Sequence, residues 1–164
     1  MNKKIINKKG FTLIELLAVI SILAIIAVIA TPNIVTLVDN SKKQEFVTDA
    51  ISFTSKAVYK YKFEKYEDLF TVKDNCKIIT LRNTGIEAKT DPDGNNYDLD
   101  NSIIKICEEE NNGIKEKVNY ILLKSTTTET DKRVRGIFDN NSSDKTVKVD
   151  SLGTKDVLDL KDLK

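Results

Sequence analysis

The sequence predicts an α+β fold in which a long N-terminal helix packs against a small antiparallel sheet. Three observations lead there. Phe11 to Ala30 is almost wholly apolar, the helical pattern then continues in amphipathic form to about Tyr61, and the rest alternates short β-prone segments with turn signals. A chain of 164 residues has room for one domain and one extended element, not for two sizeable cores.

The apolar run reads FTLIELLAVISILAIIAVIA, with Thr12, Glu15 and Ser21 as its polar members. At 1.5 Å of rise per residue it makes about 30 Å of helix, roughly the thickness of a hydrocarbon core. No other segment is apolar enough to surround it as the core of a soluble protein. The first ten residues, MNKKIINKKG, carry Lys3, Lys4, Lys8 and Lys9 and no acid. Such a flank stays on the cytoplasmic side of a span, which places the remainder outside. Beyond the run, Pro32 is expected to kink or locally unwind the helix. From Val47 the apolar positions Ala50, Ile51, Thr54, Ala57, Val58 and Tyr61 recur at spacings of three and four, a stripe on one helical face. Lys42, Lys43, Glu45, Asp49, Ser52 and Lys56 stand opposite and suit solvent. One helix from about Thr12 to about Tyr61, about 75 Å long, is the expectation.

Five segments then read as strands: Lys77–Leu81, Ser102–Cys107, Lys117–Lys124, Arg133–Asp139 and Thr146–Val149. Lys117–Lys124 is apolar enough to be central. Turn signals at Asn83–Gly85, Asp91–Asn96, Asn111–Gly113 and Asn140–Asp144 separate them, a spacing that suits antiparallel hairpins. The tail from Asp156 to Lys164 reads as a short closing helix or a frayed end. Tyr59, Tyr61, Phe63 and Tyr66, with Phe70, fall where the helix meets the head, and core packing is their expected role.

Several function classes find no support. The chain has 26 basic and 25 acidic side chains; without the four leader lysines the balance is 22 to 25, a net of −3. No basic field points to nucleic acid, although Lys132, Arg133 and Arg135 form one small cluster. Histidine is absent, so an ordinary Ser-His-Asp triad is excluded. No phosphate-binding glycine loop or zinc-spaced cysteine cluster occurs, and the protein reads as a substrate of enzymes, not as an enzyme. Cys76 and Cys107 lie on the outer side, where a disulfide is permitted; two free buried thiols are the other possibility. Asp91, Asp93, Asn95 and Asp98 offer hard oxygen ligands of the kind calcium takes, in a loop whose glycine is at the fourth place and which is therefore not an EF-hand. The same residues also make an ordinary acidic turn.

Gly10 followed by FTLIELLAVISILAIIAVIATP resembles the signature of type IV prepilins and of the related pseudopilins of type II secretion and DNA-uptake systems. The resemblance runs from about Lys8 to Val35, roughly a sixth of the chain. It implies a pilin-like architecture: a leader over residues 1–10, a membrane and filament-core helix over 11–31, its amphipathic continuation over 32–66 and a globular head over 67–164. It also implies that a prepilin peptidase cuts after Gly10 and methylates the new amine of Phe11, and that Glu15 serves methylation and assembly. The proline of the family's helix corresponds to Pro32, near which the helix loosens in filaments. Implied partners are copies of this chain or other pilins in a helical filament, the peptidase, the membrane and a pilus assembly platform protein. The precursor would sit in the cell membrane with its head outside and pass to a surface filament.

The physics of Glu15 suits this. A carboxylate near the end of a span is costly unless paired. The amine that cleavage creates on Phe11 of a neighbouring subunit would pair it, and a lone chain would leave it poorly satisfied. Major pilin, minor pilin and pseudopilin share these features. An exported binding protein cut by an ordinary signal peptidase before Thr31, after the small residues Val28 and Ala30, is a reading of another class.

Overall fold

The computed structural model describes residues 10–63, 67–87, 90–127 and 133–163. The leader lysines, Tyr66 and Lys132 lie outside the described residues, so the expectations placed on them go no further. The chain divides into two compact units, residues 1–39 and 40–164. In the first unit the described structure is the N-terminal part of α1 (Leu13–Phe63), which is exposed almost throughout. The second unit holds the rest of α1 and all of the sheet.

Helix α1 is continuous through Pro32, so the expected unwinding does not occur. Proline forfeits one backbone bond and crowds the carbonyl four residues back, yet the helix runs on through it. In the second unit, Phe46, Val47, Ala50, Phe53, Thr54 and Ala57 face inward. This is the expected stripe with two differences. Phe46 and Phe53 supply its bulk, and Ile51 remains 45% exposed. Asp49, expected in solvent, is only 5% exposed, for a reason that appears with its partner below.

Among the described residues the head is an open sheet of eight strands, antiparallel throughout. They are β1 (Thr71–Lys73), β2 (Cys76–Thr80), β3 (Asn96–Tyr97), β4 (Ile103–Asn111), β5 (Ile114–Thr126), β6 (Arg135–Ile137), β7 (Val147–Lys148) and β8 (Val157–Asp159). The path runs β1-β2-β4-β5-β6-β8, and β3 and β7 also pair with β5. The strand predicted as central is thus β5, at 13 residues longer than foreseen and bonded to four others. The tail is not a closing helix: Val157–Asp159 pairs with β6, and a 3-10 turn follows.

Two hairpins close on two-residue loops. Asn112 and Gly113 link β4 to β5 with φ of 52° and 79°, and Asp74 and Asn75 link β1 to β2 with φ of 49° and 57°. Two successive left-handed residues match the twist of the paired strands, and Asn, Asp and Gly reach that region most easily. The first loop is legible as Asn-Gly; the second lies outside the usual glycine signal.

The core sits between the inward face of α1 and one face of the sheet, where Phe46, Ala50 and Phe53 join Ile79, Ile104, Ile121, Leu123, Ile137 and Val157. Each large side chain here gains about 1.5–3 kcal/mol by leaving water. Tyr59 and Phe63 do not belong to this core as expected. They stack on each other at 4.9 Å between centroids and remain 57% and 70% exposed. Tyr61 and Phe70 meet edge-on at 6.0 Å and are partly buried.

Candidate functional site

The N-terminal segment begins at Gly10 and Phe11, both exposed ahead of the first helical residue. Thr12 is the residue that starts the helix. Its hydroxyl accepts from the Glu15 backbone N–H at 3.3 Å, and the Glu15 carboxylate accepts from the Thr12 backbone N–H at 2.8 Å. The same carboxylate oxygen accepts from the Thr12 hydroxyl at 2.8 Å. This is a reciprocal capping box, Thr-x-x-Glu, which satisfies donors that a helix start leaves open. The expectation that a lone chain leaves Glu15 poorly satisfied therefore needs correction: a single chain gives that carboxylate two donors from Thr12.

Hydroxyls in and just beyond the apolar stretch also close on their own helix. Ser21 Oγ donates to the Leu17 carbonyl at 2.8 Å, Thr31 Oγ1 to Ala27 at 2.7 Å, and Thr36 Oγ1 to Pro32 at 3.1 Å. Hydroxyls bonded four residues back need no water. Among the described residues α1 is the one helix long and apolar enough to cross a membrane; its most apolar 18-residue window has a mean hydropathy of 3.0 and is unburied. Pro32 lies just past the apolar run.

In the head, Tyr97 on β3 is the link between sheet and helix. Its hydroxyl donates to Asp49 Oδ2 at 2.8 Å, and its ring meets Phe53 and Phe46 edge-on at 5.2 and 5.8 Å. This is why Asp49 is buried. Burial, reinforced by the Asp49 carboxylate, pushes the Tyr97 hydroxyl far above the usual tyrosine pKa. Cys76 on β2 stands opposite Cys107 on β4, and the two form a disulfide across neighbouring strands.

The structure does not gather Asp91, Asp93, Asn95 and Asp98 into a calcium cage. Asp91 Oδ1 accepts from the backbone N–H groups of Asp93 and Asn95, both at 2.8 Å. Asp93 faces cations: Lys42 Nζ at 3.1 Å, and Arg135 Nε at 2.9 Å as an ion pair rather than an aligned hydrogen bond. Asp98 is occupied with the Asp100 and Asn101 backbone and the Asn101 side chain. Two positive charges beside Asp93 oppose a third, and among the described residues no group of three acidic, histidine or cysteine side chains could hold a metal.

Of the small basic cluster, Arg133 and Arg135 are engaged with acids of the head. Arg135 has a side chain only 3% exposed, and Arg133 Nε lies 2.5 Å from Asp159 Oδ1. That hydrogen bond, outweighing burial, holds the Asp159 carboxyl below the usual range. Sequence reasoning identified the acids of this network but not their partners, because Lys42 and Arg135 are distant in sequence and only the fold unites them with Asp93.

Comparison with known families finds that residues 6–31 match the prokaryotic N-terminal methylation motif. The N-terminal region thus carries the prepilin cleavage and methylation motif, which agrees with the resemblance to pilins and pseudopilins, and it implicates a prepilin peptidase as partner. The motif and the apolar helix together are consistent with a membrane-anchored precursor of pilin or pseudopilin type. Comparison with curated proteins and with solved structures returns no match.

Proposed function

We propose that this protein is a structural subunit of a type IV pilus or pilus-like filament. Prepilin peptidase cuts the precursor after Gly10 and methylates Phe11, and the mature chain assembles with copies of itself or with other pilins through α1, aided by an assembly platform protein. Before assembly the precursor spans the membrane with its leader in the cytoplasm and its head outside. The chain is worked on by enzymes and is not itself one.

The observation that carries this reading is the methylation motif at residues 6–31, on a helix whose most apolar window is unburied among the described residues. Leu13, Ile14, Val28 and Ile29 are 84%, 74%, 76% and 67% exposed. Such a surface needs lipid or other helices around it. In a filament the neighbouring amine of Phe11 would take over Glu15 from Thr12. A charged amine offers a stronger partner than a hydroxyl, so assembly would strengthen a bond that a single chain already makes.

The test is the N-terminal mass of the protein recovered from its own cells. The expected chain begins at Phe11 and is heavier by one methyl group. A chain beginning at Thr31 would mean ordinary secretion and would remove the filament reading. Glu15→Gln supplies a second test: insertion and cleavage persist while incorporation into filaments falls. Undiminished incorporation would contradict the role given to that carboxylate.

A further inference from the structure

We propose that Asn141 is a glycosylation site, which takes a saccharide on its side-chain nitrogen in the loop between β6 and β7. Residues 138–146 read FDNNSSDKT. They hold two overlapping copies of the acceptor pattern for N-linked sugars: an asparagine, any residue but proline, then serine or threonine. One copy pairs Asn140 with Ser142, the other Asn141 with Ser143.

The pattern does not separate the two copies, and the structure does. Asn140 Nδ2 donates to the Asp162 carbonyl at 2.7 Å, and Ser142 Oγ donates to Asp144 Oδ1 at 2.8 Å. Both groups of the first copy are thus engaged within the head. Asn141 and Ser143 are exposed, and among the described residues neither side chain makes a hydrogen bond. The loop is held through its backbone. Asp139 N–H donates to the Lys145 carbonyl at 3.1 Å, Asp139 Oδ1 accepts from Asn141 N–H at 2.9 Å, and Ser142 N–H donates to the Asp139 carbonyl at 3.3 Å. This turn presents the Asn141 amide and the Ser143 hydroxyl to solvent together, as the pattern requires of a surface loop.

The position also leaves room for a bulky group. Asp144 ties the loop to the Lys105 ammonium. Ile104 lies in the core shared with α1, so its neighbour Lys105 projects from the opposite face of the sheet. A saccharide on Asn141 therefore stands across the sheet from α1 and leaves that helix uncovered.

The reaction joins Asn141 Nδ2 to the anomeric carbon of a sugar carried on a lipid diphosphate. The bond from that carbon to the diphosphate oxygen breaks, the lipid diphosphate leaves with the electron pair, and the amide proton is released. Nothing is oxidised or reduced. The inference rests on the reading that places the head outside the cytoplasm, where exported chains meet such a donor at the membrane surface.

Protein recovered from its own cells is digested, and the peptide carrying Asn141 is fragmented under conditions that leave sugars attached. The expected result is a saccharide mass on Asn141. Asn141→Gln and Ser143→Ala each abolish it, whereas Asn140→Gln and Ser143→Thr retain it. An unmodified Asn141 overturns the proposal. So does a sugar on Asn140 or on a serine oxygen of the loop, and so does a sugar that survives Ser143→Ala. The N-terminal peptide of the same digest keeps the two readings apart. A chain that begins at Phe11 with Asn141 unmodified overturns this inference alone, and a glycosylated chain that begins at Thr31 upholds it while removing the filament reading.

Discussion

Replacing Tyr97 by phenylalanine removes one oxygen and keeps the ring that meets Phe46 and Phe53. What is lost is the 2.8 Å hydrogen bond to Asp49, whose side chain then stays buried with a donor missing. A bond to a charged group contributes about 1.5–3 kcal/mol, and about 2 kcal/mol is the expectation at neutral pH. For a head of this size that lowers the melting temperature by roughly 6–12 °C. The same bond gives the effect a pH signature. The folded Tyr97 hydroxyl has a raised pKa, with burial as the first cause and Asp49 as the second, while in the unfolded chain it titrates near 10. The unfolded state therefore releases a proton above about pH 10 that the folded state retains. Its stability contribution is full below that value and declines above it, by about 1.4 kcal/mol per pH unit. Phenylalanine has no proton to lose, so the gap between parent and variant should shrink from pH 10 upward. Thermal unfolding of both full-length proteins in micelles, followed by circular dichroism from pH 7 to 11.5, measures it. A gap that is absent at pH 7, or constant across the range, would refute the coupling of Tyr97 to Asp49.

Three further outcomes follow from the geometry. Thr12→Ala removes the hydroxyl half of the capping box and should cost about 1 kcal/mol at the start of α1; amide exchange in the first turn should quicken, Thr12→Ser should restore it, and unchanged exchange would count against the cap. Gly136→Ala places a Cβ about 2.5 Å from the Leu123 carbonyl oxygen and 3.0 Å from Leu160 Cδ2, so β5 and β6 must separate at a cost of about 1–3 kcal/mol; an unaltered melting temperature would show that the strands do not approach so closely. Replacing both Cys76 and Cys107 by serine opens a cross-link between residues 31 apart and should lower stability by about 3–4 kcal/mol, read as a drop in the denaturant midpoint; no drop would mean the bond adds nothing to the fold.

The sequence makes the long periodic elements legible and leaves the short ones dark. A helix over 12–61 is found at Leu13–Phe63, because dozens of side chains repeat one pattern. β5 announces itself by a dense apolar run, and the β4–β5 loop by Asn112-Gly113. β1, β3 and β8 have two or three residues each, too few for any period, and they exist because β2, β5 and β6 offer edges to pair with. Asp49 is the instructive misplacement. Charge alone puts it outside, and Tyr97, 48 residues away, meets it in the core. In the acidic loop the turn reading holds for Asp91 and Asp98, which accept from nearby backbone N–H groups, while the partners of Asp93, Lys42 and Arg135, could not be read from the sequence. At the N-terminus the motif was plain, and the Thr12–Glu15 capping box also had a sequence signal, Thr-x-x-Glu ahead of an apolar run, that sequence reasoning missed.

The hydroxyls of Ser21, Thr31 and Thr36 are each closed on a carbonyl of α1. Its surroundings need supply no donor or acceptor for these three side chains. Moving such a segment from a lipid phase into a sheath of aliphatic side chains exchanges one hydrocarbon contact for another, with those bonds unbroken on the way. The transfer is then close to isoenergetic for these groups, and the direction of travel is set by whatever happens at Glu15 and in the head.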